Sequence, residues 1–283
     1  MNEKNVSRMI LLEKVKKSIG FLLKILVLAV FFVPFYWMVI TAFKIPYEAS
    51  LFPPTWWPET FSLESFREVF RRLDVWMYLK NTIIITLSVL TLQTIIMVPS
   101  AYAFARYEFK GKKCLFALVM VALMVPQQIT FISTYLMFSK MDLLRTLLPQ
   151  ILPLGASAYG IFMLRQRFMQ IDDELVEAAR LDQAGELKIM LKVMLPIAKP
   201  TMVIVLLLNF ISVWNSYFWP LVMCNSEEVK PVTLAVAKLK NIEEVINWPL
   251  RMSGNLLLLI PMFAIFLLTS KKIISSLSYG GTK

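Results

Sequence analysis

Five polar and aromatic side chains lie in otherwise apolar segments, where unpaired polar groups are unfavourable. Gln127, Asn209 and Asn215 carry amide groups that both donate and accept hydrogen bonds. Trp214 and Tyr217 place aromatic rings on either side of the second asparagine. Amide hydrogen bonds together with aromatic stacking can bind a polar solute, so these residues are predicted to line a solute pathway. The alternative is that they join neighbouring helices and form an interfacial aromatic belt.

The residue inventory excludes most kinds of catalysis. The chain has no histidine and only two cysteines, so it lacks a histidine base for a serine or cysteine nucleophile and the means to build a metal-ligand cluster. None of its eight glycines belongs to a G-x-x-x-x-G-K-[ST] loop that would cradle ATP. We predict no catalytic residue, no metal site and no cofactor in this chain. Any uphill movement of solute would then draw its energy from another chain.

Six long stretches contain no Asp, Glu, Lys or Arg. The chain is 58% hydrophobic and 17% charged, which is more apolar than an ordinary soluble domain. Because a helix rises about 1.5 Å per residue, about 20 residues cross a hydrocarbon core. The sequence therefore predicts an all-α polytopic membrane protein with six transmembrane helices. The predicted spans are 25–43, 81–105, 114–139, 146–164, 200–226 and 252–270.

The distribution of basic residues predicts the orientation. With the N-terminus inside, 19 of the 30 Lys and Arg residues fall on the inner side. Basic residues concentrate in cytoplasmic loops, so both termini are predicted to be cytoplasmic. Residues 1–24 then form a cytoplasmic N-terminal segment, and 25–283 form a single membrane domain. The net charge of +11 follows from this topology and requires no nucleic-acid partner.

The longest predicted cytoplasmic loop, 165–199, has the pattern of two short helices. Acidic residues at Asp172 and Asp173 favour a helix N-terminus, and the helix continues to Leu181. A second helix is predicted over 186–195, with Pro196 and Pro200 ending it. Gly185 marks the break between the two helices.

This loop also carries a motif. Glu177-Ala178-Ala179, then Asp182, then Val193-x-Leu195-Pro196 resembles the EAA signature of ABC importer permeases. The resemblance implies a coupling helix that sits in a groove of a cytoplasmic ATPase. The paired alanines would allow close backbone approach, and Glu177 and Arg180 would make polar contacts at the rim. The coupling residues implied are Glu174, Glu177, Ala178, Ala179, Arg180, Asp182, Gln183 and Gly185.

Two positions depart from the family pattern. The family usually has glycine directly after the aspartate, where this chain has Gln183, and a glycine appears instead at Gly185. It also favours proline near position 172, where this chain has Asp172. The turn inside the motif is therefore expected to differ from the turn of the family in its residue types.

Further motifs resemble the carbohydrate class of these permeases. They are Asn81-Thr82, the run 99–106 followed by Phe109-Lys110-Gly111-Lys112, and Trp214-Asn215 with Trp219-Pro220-Leu221. The resemblance implies one half of an alternating-access pathway in a bacterial cytoplasmic membrane, importing a mono- or oligosaccharide. The implied partners are a second, related permease in a heterodimer, two ABC ATPase subunits that bind ATP, an external solute-binding protein and the lipid bilayer.

Two other functions fit the same chain. An ABC permease for a polyamine, an amino acid or glycerol phosphate is one, although a cationic solute would favour acidic groups along the path and the predicted spans carry none. A stand-alone secondary transporter is the other. The particular solute is not specified by the sequence, because in such systems the external protein commonly selects it.

Overall fold

The part of the chain that can be described is helical throughout. The computed structural model describes the backbone of residues 3–239 and 246–279 and the side chains of residues 16–239 and 246–269, and these ranges contain no β-strand. The helices are α1 Glu3–Ala42, α2 Pro46–Ala49, α3 Glu64–Arg72, α4 Val75–Arg106, α5 Lys112–Met124, α6 Gln127–Lys140, α7 Leu148–Ile151, α8 Ala158–Met169, α9 Asp173–Leu181, α10 Glu186–Ile189, α11 Leu195–Trp214, α12 Phe218–Met223, α13 Val232–Lys238 and α14 Trp248–Tyr279.

Four helical segments among the described residues are long and apolar enough to cross a membrane. They are Lys16–Ala42, Val75–Arg106, Glu186–Trp214 and Trp248–Thr269. Each overlaps one predicted span, and the described residues are all-α as predicted. The six crossings and the cytoplasmic termini stay predictions. A fifth crossing exists if α5 and α6, which meet at an angle of 97°, together form one broken span.

The predicted span 114–139 is not one helix. Helix α5 ends at Met124, and Pro126 precedes α6 with an extended backbone, φ −66° and ψ 134°. Proline lacks the N–H that an uninterrupted helix would use, and its ring disfavours the helical conformation of the residue before it. The apolar run is continuous in sequence, but the backbone turns within it.

The predicted span 146–164 is also not a continuous helix. It contains α7, a 3₁₀ turn over Leu152–Leu154 and the start of α8. The Ser157 hydroxyl caps α8 by accepting a hydrogen bond from the Gly160 N–H at 3.1 Å. A capping serine and two prolines, Pro149 and Pro153, interrupt this run, although none of them carries a charge.

The predicted span 200–226 is displaced along the chain. Its helix α11 begins at Leu195 and ends at Trp214, and a separate short helix, α12, follows. Asn215 is the C-cap of α11, so the polar cluster around it lies at a helix end.

The chain divides into two compact units, 1–72 with 239–257 and 73–238 with 258–283. The core of the second unit lies where α4, α8 and α11 meet, around the fully buried Met97, Leu164 and Val205. Gly160 allows this approach, because a Cβ there would lie 2.2 Å from the Met97 Sδ. In the first unit, the Ser253 hydroxyl of α14 donates to the Ala42 carbonyl at 3.3 Å. The single domain predicted over 25–283 stays a prediction.

Candidate functional site

Helix α9 occupies the predicted position of the first loop helix. Asp172 is its N-cap, and Asp173 and Glu174 place negative charge in the first turn, where the helix dipole favours it. Val176 is 3% exposed and belongs to the core of the second unit, with Ala179 packed against the same cluster. One face of α9 is therefore fixed to the core of the second unit.

The opposite face of α9 is open and carries two leucines. Leu181 is 85% exposed and Leu175 is 47% exposed. The predicted coupling residues Glu174, Glu177, Ala178 and Asp182 are exposed as well. Two exposed leucines among acids form an amphipathic surface of the kind that protein interfaces cover. We call Glu174, Leu175, Glu177, Ala178, Leu181 and Asp182 the α9 outer face.

Gln183 follows α9 in a left-handed conformation, with φ +53°. The Gln183 N–H donates to the Arg180 carbonyl and the Ala184 N–H to the Ala179 carbonyl, both at 3.0 Å. These two bonds form a Schellman cap, whose left-handed position most often holds glycine. Gln183 thus occupies the position at which the family usually has glycine, and Gly185 instead caps the N-terminus of α10. The predicted break at Gly185 is confirmed.

Glu186 connects α9 to two other parts of the unit. Its Oε1 accepts from Arg180 Nε at 2.9 Å, and its Oε2 accepts from the Tyr102 and Tyr107 hydroxyls at 2.6 and 2.9 Å. Burial and then the hydrogen bond to Glu186 raise the pKa of Tyr107, while the same carboxylate raises the pKa of Arg180. At neutral pH, Tyr107 is therefore a hydrogen-bond donor and Arg180 a cation.

Arg106 fixes the other end of α9. One guanidinium nitrogen bonds the Asp173 carboxylate, and the second donates to the Phe168 carbonyl at 2.8 Å and to the Ile171 carbonyl. The Arg106 side chain is 8% exposed, so its charge depends on these acceptors. Both ends of α9 are held by polar contacts to α4 or its exit.

The prediction that Pro196 and Pro200 end the second loop helix is wrong. Helix α10 continues through a π-helical turn, Met190–Met194, into α11, with Pro196 in the first turn of α11 and Pro200 inside it. The π-helical turn directly before Pro196 is where the helix accommodates the N–H that this proline lacks. One helical rod therefore runs from Glu186 to Trp214.

Three of the five predicted pathway residues make hydrogen bonds to different partners. The Asn209 amide approaches the Ser157 hydroxyl at 3.3 Å, and the Asn215 amide donates back to the Ile211 carbonyl at 2.9 Å. Trp214 is 3% exposed, and its indole N–H donates to the Leu258 carbonyl at 3.2 Å. Gln127 and Tyr217 are exposed, on α6 and just before α12 respectively. Their role in a solute path stays a prediction.

Asn81 and Thr82 of the second span hold the segment that follows α12. The Asn81 amide donates to the Glu228 and Lys230 carbonyls at 2.7 and 3.0 Å, and the Thr82 hydroxyl accepts from the Val232 N–H at 2.9 Å. Glu227 binds Lys230, at 2.5 Å, and Lys238, and these bonds lower the pKa of its carboxyl to about 2.

Glu186, Tyr102 and the two leucines were not predicted as site residues. Glu186 is 84 residues from Tyr102 along the chain, so their contact exists only in the folded unit. The leucines carried a usable signal, because Leu175 and Leu181 are six apart in a short charged helix with only one other large aliphatic residue, Val176.

Residues 95–276 match the protein family described as binding-protein-dependent transport system inner membrane component. This match covers well over half of the chain. The chain belongs to this family. The chain is thus the membrane permease of a transport system, as its EAA-like motif and its apolar helices predicted.

Named relatives agree with this assignment. The permease is 28% identical over 227 residues to the arabinooligosaccharides transport system permease protein AraQ of Halalkalibacterium halodurans, covering 80% of this chain and 81% of the relative. It is 29% identical over 198 residues to the sn-glycerol-3-phosphate transport system permease protein UgpE of Rhizobium meliloti, covering 70% of each. A chain of a bacterial ABC transporter involved in alginate import has the same fold, with a TM-score of 0.81 at 21% identity over 92% of this chain and 96% of that one.

Proposed function

We propose that this permease imports a saccharide and that the α9 outer face couples it to a separate cytoplasmic ATPase. The observation that carries the coupling proposal is the exposure of Leu181 on a helix whose other face is anchored in the core. Leu181 shares this open face with Leu175 and Ala178, and a grouped apolar surface of this kind favours coverage by a partner. ATP and its chemistry would belong to that partner, with no cofactor in this chain.

The anchoring supports a rigid transfer of motion. Displacement of α9 pulls on Arg106 through Asp173 and on Glu186 through Arg180. Glu186 begins the rod that reaches Trp214, so movement at the loop would reach the membrane interior as movement of one body. Such motion suits alternating access, in which a docked ATPase closes and the cavity changes the side to which it opens.

The wider assembly is part of the same proposal. In this proposal the chain crosses the membrane six times with both termini in the cytoplasm, an arrangement that would put α9 on the same side as the ATPase. A second, related permease would supply the other half of the pathway, two ATPase subunits would bind the coupling loops, and a solute-binding protein would deliver cargo from outside a bacterial cytoplasmic membrane. The saccharide class is favoured by the relative named for arabinooligosaccharides, and glycerol phosphate is the second candidate because another relative is named for it.

The test is a Leu181→Asp variant purified from native membranes with its associated subunits. Loss of a hot-spot side chain costs about 2 kcal/mol or more, and a carboxylate in place of a covered leucine adds the cost of its desolvation, so retention of the ATPase should fall at least about tenfold. Met141→Asp changes another exposed apolar side chain, between the predicted spans 114–139 and 146–164 on the outer side of the predicted topology, and should leave ATPase retention unchanged.

A panel of saccharides and glycerol 3-phosphate, supplied with the solute-binding protein, identifies the cargo through stimulated ATP hydrolysis. Full ATPase retention by Leu181→Asp would refute docking through the α9 outer face. Stimulation by glycerol 3-phosphate alone would refute the saccharide proposal.

A further inference from the structure

An open groove of about 1150 Å³ lies on the second unit, lined by α5, α8 and the turn that joins α4 to α5. All of its lining residues fall within 105–169, so the groove belongs to this unit alone. Its volume exceeds the roughly 300–1,000 Å³ of an ordinary small-molecule site. In the predicted topology the turn lies on the inner side, so the groove opens at the cytoplasmic boundary of the membrane.

A positioned arginine forms part of the groove wall. The Arg165 Nε–H donates to the Phe104 carbonyl at 3.1 Å, and the guanidinium carbon lies 4.1 Å from the centre of the Phe116 ring. These two contacts hold the guanidinium against an aromatic face. Its two terminal nitrogens bond no described residue and stay accessible. A guanidinium with both terminal nitrogens available has the geometry that binds a phosphate through two hydrogen bonds.

Two lysines at the start of α5 line the same groove. Lys112 binds the Glu108 carboxylate at 2.7 Å, whereas Lys113 is exposed and forms no ion pair with a described residue. Both lie in the first turn of α5, where the helix dipole disfavours cations and where no acid offsets them. The groove lining therefore carries three basic side chains and one acidic one, and a bound anion would relieve the excess.

The rest of the wall is apolar and follows α5 away from the lysines. Met120, Val121 and Met124 line it, and none of the residues of α5 is buried. From Lys113 to Met124 a helix rises about 16 Å, which is half of a hydrocarbon core of about 30 Å. The groove thus joins a basic end to an apolar wall that is about one leaflet long.

We propose that this groove binds one anionic phospholipid of the cytoplasmic leaflet. Arg165 and Lys113 bind its phosphate, and an acyl chain lies along the apolar wall of α5. Basic pockets between transmembrane helices on the cytoplasmic side bind anionic headgroups in this way. A zwitterionic lipid would bring its own cation to the basic end, and a free phosphate solute would leave the apolar wall uncovered.

The test measures the lipid that the full-length permease retains from mixed micelles of dodecyl maltoside, dioleoylphosphatidylglycerol and dioleoylphosphatidylcholine. The permease is recovered in about 1 M NaCl, where the Debye length is about 3 Å and attraction to exposed charges alone is screened. Mass spectrometry should show phosphatidylglycerol retained in preference to phosphatidylcholine. Arg165→Gln should reduce this preference about tenfold, because it removes charged hydrogen bonds, and Lys113→Gln about threefold, because that cation is exposed.

Lys110→Gln is the matched control variant. Lys110 is an exposed lysine of the same turn that lies outside the groove lining, so its substitution should leave the preference unchanged. Equal losses in Lys110→Gln and Lys113→Gln would show diffuse attraction to a basic turn and overturn the proposal. Absence of a preference in the unmodified permease would overturn it as well. Because Lys113 is exposed, Lys113→Gln tests the site even if Arg165→Gln fails to fold.

A competition arm separates a lipid from a small phosphate solute. Excess sn-glycerol 3-phosphate carries the phosphate without acyl chains and should not displace the retained phosphatidylglycerol. Displacement would show that the groove binds the phosphate alone and would overturn the phospholipid assignment. The assay contains no ATPase, no solute-binding protein and no saccharide, so its outcome is independent of the proposed coupling and cargo.

Discussion

Replacing Gln183 by glycine should stabilise the C-terminus of α9. A non-glycine residue in the left-handed region costs roughly 1–2 kcal/mol, and Gln183 has φ +53°. Glycine returns about 0.4–1 kcal/mol of this through the larger entropy of its unfolded chain. Gln183 is exposed, and no hydrogen bond from its side chain enters the cap, so the net gain should be about 0.5–1 kcal/mol.

Hydrogen exchange measured by mass spectrometry on peptides across 173–189 reports this gain. The two amides that close the Schellman cap, those of Gln183 and Ala184, should exchange about two- to fivefold more slowly in the variant. Gln183→Val should have the opposite effect, because a β-branched side chain is more strained at positive φ.

Asp142 provides a matched control in the same unit. It also has φ +53°, and it follows α6 with the same pair of capping bonds, from Asp142 to Ser139 at 3.1 Å and from Leu143 to Phe138 at 3.0 Å. Asp142→Gly should slow exchange at the end of α6 and leave α9 unchanged. Its effect should be smaller, since aspartate tolerates this conformation better than glutamine. Unchanged or faster exchange in Gln183→Gly would show that the turn stores no strain.

Three further outcomes are expected. Glu186→Gln should weaken the charged hydrogen bonds at α9, speeding exchange across 173–186 by an amount that corresponds to about 1–2 kcal/mol. Glu227→Gln should remove stability that the unmodified permease has above pH 4.5 and loses as pH falls toward about 2, the pKa of the Glu227 carboxyl, a difference visible in thermal unfolding at pH 7 and pH 3. Because Glu227 is half-exposed, the effect should stay below about 1 kcal/mol. Gly160→Ala should destabilise by about 1–3 kcal/mol through its clash with Met97, whereas Gly20→Ala, with open space around it, should not; thermal unfolding in detergent separates the two.

Local chemistry made α9 predictable. Acids at its start, alanines in its middle and Gly185 after it are signals that act within one or two helical turns. The structure agrees with each of them, and the EAA-like motif led to the correct family. Charge-free runs likewise located the four long apolar helices, because lipid imposes the same requirement on every residue that it surrounds.

The expectation that each charge-free run forms one helix overestimated how continuous the helices are. A charge-free run fixes what a segment can face but not whether its backbone stays helical, and Pro126 and the prolines of 146–164 changed the backbone without changing hydropathy. Pro196 was misjudged in the opposite sense, since a π-helical turn preserved the rod that proline was expected to end. Whether a proline ends a helix depends on its position within that helix, and the sequence did not show where the helix containing Pro196 begins.

Polar contacts between residues far apart in the chain could not be predicted from the sequence. The Glu186 carboxylate joins Arg180 to Tyr102 and Tyr107, which lie 84 and 79 residues earlier in the chain than Glu186, and a cavity beside Glu48 combines α1 with α14. Neither arrangement is marked by a characteristic spacing of residues along the sequence. The dispersed positions of Asn209, Trp214 and Asn215 show the converse, that neighbours in sequence can face different partners.

The most direct test of the account is a photocrosslink from the α9 outer face in native membranes. With p-benzoylphenylalanine in place of Leu181, irradiation should yield an adduct whose second component carries a G-x-x-x-x-G-K-[ST] loop, identified by mass spectrometry. The same amino acid in place of Lys110, an exposed residue of the short predicted cytoplasmic loop 106–113, should give little of that adduct. Absence of a P-loop protein from the Leu181 adduct, with the permease present at normal levels, would contradict coupling through α9.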